Sequence, residues 1–324
     1  MKRFTKGLVL VAILTLMVSL PVSAKTKNFV SVSAETSYNT GDTNEEDDII
    51  PVRSSSQSIN GITFSVSFSR HSNVDPSVDK QIEILEDVFY QVYPQMYDRF
   101  GGYSKAATNV AVTFEHDYMY AGSALRDTIV LNDKYCTPWG HKVFVHELAH
   151  VIQHKWNPNT QVYDHWNKSR LEDDEFVENF AEYCAYVYAY ENGKYHDIDV
   201  GILNIYQEGT LESSDRFLLW LDWETTSSNK DIIRDFFEVC NDEKYSRDQW
   251  HDKVWPMLFK GTRFEGRSID DVWKEYRNGD FSHYGTTSTN GYTPEIIRKC
   301  RKGGEDIRTY LKKHSFSQKY ENGM

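Results

Sequence analysis

The sequence predicts an α+β fold: a small N-terminal mixed sheet with one central helix, followed by a mainly helical C-terminal half. Two patterns support this. Apolar and polar residues alternate along Ile62-Thr63-Phe64-Ser65-Val66-Ser67-Phe68, as in a half-buried strand. From residue 138 onward, apolar residues recur mainly at helical spacing. With 40% hydrophobic and 14% aromatic residues in 324, the chain has enough apolar surface for a packed core.

Residues 1–24 read as an export signal. Lys2, Arg3 and Lys6 give a basic start, and residues 7–20 are mostly apolar. That run is shorter than the roughly 20 residues that span a bilayer. Pro21-Val22-Ser23-Ala24 then supplies small residues before a cut after Ala24. The mature chain is expected to be secreted, or held at the cell surface or in a periplasm, without stable membrane insertion. Residues 25–59 are rich in Ser, Thr, Asn and acids, including Glu45-Glu46-Asp47-Asp48. They are expected to form a flexible linker or a propeptide. The folded domain is expected over 60–324, with order beginning near Gly61.

Asp75-Pro76 is a helix start, a capping carboxylate followed by Pro at the first helical position. Val78, Ile82, Leu85, Val88, Phe89 and Val92 continue it at helical spacing, and Pro94 is expected to end or kink it. Val110-Ala111-Val112-Thr113-Phe114 reads as a second strand and Thr128-Ile129-Val130-Leu131 as a third. Thr137-Pro138 opens the helix that carries the central motif. Further helices are expected over 171–190, 213–223, 232–239, 248–259 and 269–276, and a loop over 283–292.

Formal net charge is −12, which disfavours a nucleic-acid role, since phosphate binding needs clustered Lys and Arg. Cys136, Cys184, Cys240 and Cys300 permit two disulfides in an exported chain, and buried free thiols are the equal alternative. No pair has the C-x-x-C spacing of a cysteine zinc site.

The informative segment is Val143-Phe144-Val145-His146-Glu147-Leu148-Ala149-His150-Val151-Ile152, which contains H-E-x-x-H. Residues i and i+4 of a helix share a face one turn apart, so two imidazoles there converge on one Zn²⁺. Glu147 flanks the metal and is placed to take a proton from a zinc-bound water. The remaining positions from Val143 to Ile152 are uncharged, as suits a helix buried beneath a site floor.

His154 lies eight residues from His146, about 12 Å along the axis, too far to share one ion, so it is expected to play a supporting or structural part. Gln153 and Trp156 occupy the Gly and last-His positions of the longer H-E-x-x-H-x-x-G-x-x-H pattern, which therefore fails. The better third ligand is Glu178, on the next amphipathic segment. Glu182 stands four residues on and shares its face. One carboxylate can bind metal while the other accepts the free N–H of a ligand histidine.

These residues give the chain a resemblance to the peptidases of the basic secretory protein family of plants and bacteria, within the wider gluzincin group. The matching segments are His-Glu-Leu-Ala-His at 146–150, Val-Glu-Asn-Phe-Ala-Glu-Tyr at 177–183, Asp-Arg-Phe-Leu-Leu-Trp-Leu at 215–221 and Ile-Asp-Asp-Val-Trp-Lys-Glu-Tyr at 269–276. The likeness runs over roughly residues 61 to 280. It implies a zincin-like fold, with His146, His150 and Glu178 as zinc ligands, Glu147 as base and Glu182 as the supporting carboxylate. It also implies that 128–131 is the sheet edge beside the cleft, with Tyr120-Ala121-Gly122-Ser123 as one rim. The chain departs from the family at Asn179, where a Gly is usual, and at Leu211, where a Tyr is frequent. Tyr206, Tyr163 or His165 is a candidate to take the place of that tyrosine, with a core or surface role as the alternative for each.

The expected function is a secreted zinc-dependent endopeptidase, monomeric, acting on a protein or peptide and not on nucleic acid. Two rivals are a non-catalytic zinc-containing surface or binding protein, and a hydrolase of glycosylated polymers that would use exposed aromatics for sugar stacking. Asn167-Lys168-Ser169 is a glycosylation acceptor in a eukaryotic source only.

Overall fold

Strand β1 (Ile49–Ile59) turns through Asn60 and Gly61 into β2 (Ile62–His71). Both turn residues have positive φ, 54° and 81°, the requirement of the two-residue hairpin that Asn-Gly favours. A computed structural model describes residues 48–135, 140–172, 175–189, 215–225, 228, 230–242 and 244–278. The export signal, Cys136, Pro138, Tyr206, Leu211, the loop 283–292 and Cys300 lie outside the described residues.

The expectation of a linker up to residue 59 is corrected by β1, which places regular structure from Ile49 onward. Composition misled because β1 is a mostly exposed, Ser-rich strand held by backbone pairing to β2 and not by burial. Its register breaks at a bulge between Pro51 and Arg53.

Phe64, Val66 and Phe68 of β2 are buried, as their alternation predicts. Asp75 caps the following turn by accepting from Ser77 N–H at 2.7 Å, and α1 runs from Asp79 to Met96. Pro94 does not end α1: it sits inside it, and a wide π-type turn, Tyr97–Gly101, follows. Tyr93, Met96 and Phe100 are all fully buried around it, so packing outweighs the lost backbone bond.

β3 (Asn109–Glu115) pairs parallel with β2, which makes α1 the crossover connection. β4 (Gly122–Leu125) and β5 (Thr128–Asn132) complete a mixed sheet of order β1-β2-β3-β5-β4. The resemblance put the sheet edge at 128–131. Instead, β5 lies inside the sheet, parallel to β3 and antiparallel to β4, and the edge is β4. Four residues with a single large apolar member gave β4 no pattern of its own.

Helix α2 (Gly140–Gln153) packs against α1 and β4. Phe144, Val145, Leu148, Ala149, Val151 and Ile152 are buried on its apolar side. A short hairpin, β6 (Lys155–Asn157) with β7 (Val162–Asp164), interrupts the helical half. The expected helix over 171–190 is shorter: α3 spans Phe176–Cys184 and passes into a π-type turn at Ala185–Ala189. Beyond it come α4 (Asp215–Thr225), α5 (Ile232–Asp242), α6 (Trp255–Phe259) and α7 (Ile269–Asn278). Their shared core is aromatic, with Phe176, Phe217, Trp220, Phe236, Trp250 and Trp255 buried. Cys240 is a buried free thiol and Cys184 is buried on α3.

One ionic network ties these parts together. Arg99, in the turn after α1, grips Asp231 with two bonds of 2.7 and 2.8 Å, reaches Asp222 of α4 at 3.3 Å, and donates to the Tyr183 hydroxyl of α3 at 2.7 Å. Tyr183 itself donates to Asp222. The network anchors α3 at Tyr183, the residue after Glu182. No helix among the described residues is long and apolar enough to cross a membrane.

Candidate metal centre

Lys142, His146 and His150 follow one another at four-residue spacing along α2, so they share one face. α3 packs on α2 and presents Glu178 and Glu182 at the same spacing. His146 Nε2 and His150 Nε2 stand 3.1 Å apart, and Glu178 Oε2 is 3.4 Å from each. These three residues form a triad able to hold a metal ion.

The surrounding contacts orient the triad. His146 Nδ1 lies 3.1 Å from Glu182 Oε1, out of line for a well-formed hydrogen bond. Lys142 Nζ donates to the other oxygen of Glu182 at 2.9 Å. His150 Nδ1 donates to Gln153 Oε1 at 2.7 Å. Glu147 is buried beside the triad, and its Oε2 has no hydrogen-bond partner among the described residues. An orphaned buried carboxylate oxygen is costly unless something completes it, which suits a site built for water and a cation.

Electrostatics separate the acids. Burial raises the Glu147 pKa, and the neighbouring histidines only partly offset it. Burial would also raise Glu178, but His150 and His146 outweigh it and hold that carboxyl well below the usual range. Glu182 is lowered as well: burial opposes the shift, and Lys142 and His146 win. Burial works against protonation of His146 and His150, yet the carboxylates around them raise both. A cation placed among these groups would displace those protons and meet two ionised acids.

No protein-family model matches the chain, and no curated protein matches it.

The resemblance to the basic secretory peptidases thus rests on its four segments. His154 is not in the triad: its Nδ1 donates to His150 O at 2.7 Å and its Nε2 accepts from Arg126 N–H at 3.2 Å. That pairing requires a neutral ring, and burial lowers its pKa to about 4. It ties the end of α2 to the β4–β5 turn. Tyr163 meets Trp156 edge to face across the β6–β7 hairpin, ring centres 5.1 Å apart. His165 is closer to the triad, its ring 6.2 Å from that of His150 and 4.7 Å from that of His154, with burial lowering its pKa to about 3.

Three contributors escaped sequence reasoning. Lys142 was legible, since it stands one turn before His146. Gln153 was weighed only as a mismatch to a longer motif. Gly122 is legible only as part of the rim that the resemblance implies, and its closeness to Glu147 is not: an added Cβ there would stand 2.8 Å from Glu147 Oε1 and 3.0 Å from Val143 Cγ1.

Proposed function

We propose that this chain is a zincin-like, zinc-dependent peptidase, exported by the signal read at residues 1–24. One observation carries the reading. A tetrahedral Zn²⁺ with bonds of about 2.0–2.1 Å holds its donors roughly 3.4 Å apart, and the three donor atoms here are separated by 3.1, 3.4 and 3.4 Å.

His146, His150 and Glu178 would hold the ion. When bound, zinc lowers the pKa of water toward about 7 and polarises a scissile carbonyl. Glu147 Oε2, buried and without a partner among the described residues, accepts the proton of the attacking water and returns it to the leaving nitrogen. Burial, which raises its pKa, moves it in the direction a group that both takes and gives a proton requires. Glu182, fixed by Lys142, supports His146. An extended peptide would pair with β4, the sheet edge against which α2 packs.

Among the described residues no tryptophan is exposed and Tyr103 is an exposed aromatic, which gives a sugar-stacking hydrolase little to stand on. The decisive experiment measures zinc content and cleavage of a denatured general substrate in wild type, His146→Ala and Glu147→Gln. We expect zinc with cleavage in wild type, neither in His146→Ala, and zinc with turnover lowered about 10²–10⁴-fold in Glu147→Gln. Cleavage by wild type that survives full metal removal would overturn the reading. Zinc without cleavage in wild type would favour a non-catalytic zinc protein.

A further inference from the structure

We infer that Gln153 is a positioning residue that sets the tautomer of His150 and locks the two ligand-bearing helices together. The inference rests on the metal-centre reading and extends it. Gln153 is completely buried at the last residue of α2. Its carboxamide spans two partners: the NH₂ donates to Val177 O at 2.8 Å, and Oε1 lies 2.7 Å from His150 Nδ1.

The logic follows from what each group can do. A backbone carbonyl only accepts, so Val177 O must face the Gln153 NH₂. That fixes which way the amide points and leaves Oε1 toward His150. An amide oxygen also only accepts, so His150 must carry its hydrogen on Nδ1. In the neutral ring that a metal ligand must be, Nε2 then keeps its lone pair, and Nε2 is the atom facing His146 and Glu178. Val177 immediately precedes Glu178 on α3, so the same side chain anchors the backbone beside the third ligand. One residue thereby sets both the proton position on the second ligand and the distance from that ligand's helix to the carboxylate.

The test uses the full chain, with Zn²⁺ affinity measured by competition with a chromophoric chelator and geometry by the visible spectrum of the Co²⁺-loaded protein. Gln153→Met keeps the volume and removes both hydrogen bonds. It should weaken zinc about 10–100-fold and alter the Co²⁺ spectrum, while the far-UV circular dichroism of the apoprotein is unchanged. Gln153→Glu retains an acceptor for His150 Nδ1 and should recover part of the affinity. In a His150→Ala background, Gln153→Met should cost clearly less than it does alone. A Gln153→Met protein that binds zinc within about twofold of wild type would overturn the role of Gln153 and leave the metal centre standing. If Gln153→Met does not fold, a folded Gln153→Glu that binds no better than His150→Ala overturns the role. Wild type that takes up no zinc overturns the underlying reading as well.

Discussion

Gly122 of β4 stands so close to Glu147 of α2 that a single methyl group at position 122 would sit 2.8 Å from the carboxylate oxygen and 2.9 Å from its Cγ. Real side-chain carbons do not approach that closely, so one of the two must move. The edge strand and Glu147 are therefore fitted to each other at a position where a side chain is missing.

Gly122→Ala should push Glu147 aside without touching His146, His150 or Glu178. The expected outcome is turnover lowered about 10–100-fold with zinc affinity within about twofold of wild type. Steady-state cleavage and chelator competition on the same preparation check this. Unchanged turnover would mean that the strand gives way and Glu147 does not.

Glu178 and Glu182 share a face but differ in what they meet. Glu178 Oε2 faces both histidines, whereas Glu182 faces His146 Nδ1 and Lys142. Glu182→Gln should weaken zinc about 10–100-fold, and Glu178→Ala should weaken it further. Lys142→Met should resemble a mild Glu182→Gln. A reversed ranking in zinc titrations would move the third ligand to position 182.

Arg99 is almost fully buried, and Asp222 beside it is completely so. Removing one partner of such a pair leaves an uncompensated charge, a loss of about 3–5 kcal/mol. Arg99→Met should lose that much stability in urea unfolding. The zinc affinity of the molecules that remain folded should fall less than in Glu182→Gln, because the network touches α3 at Tyr183 and not at the triad. A change under about 1 kcal/mol would show that the network is not holding the helices.

Glu275 of α7 is clamped by Arg263 and Arg267. Burial alone would raise its pKa, but the two arginines lower it below the ordinary value of 4.5. The folded state thus binds the proton less tightly than the unfolded chain. The stabilisation is complete above about pH 5 and fades as pH falls through the folded value. Glu275→Gln should therefore lose a little stability at pH 7, under about 1 kcal/mol given its exposure, and none near pH 2. Melting curves of both proteins across that range decide it, and a difference that grows in acid would reverse the sign.

Much of the site could be read from the sequence because its chemistry is helical. His146 with His150, and Glu178 with Glu182, obey the four-residue spacing that local geometry enforces, and the structure brings them together. The sheet was harder. The alternation in β2 stood out because one of its faces is buried, whereas β1 and β4 are edges with few buried side chains. The Asn60-Gly61 turn was the overlooked cue, since it demands a strand on either side. Gly122 and Gln153 act through distances to other elements, which no spacing along the chain encodes.

The two borders of the sheet are treated in opposite ways. β1 carries Pro51, a bulge at that proline and a run of serines, features that frustrate docking by another copy's strand. β4 is short and lies against the helix that bears Glu147. The fold thus guards its long margin against aggregation and leaves the short margin beside Glu147 as the one a proposed substrate strand would meet.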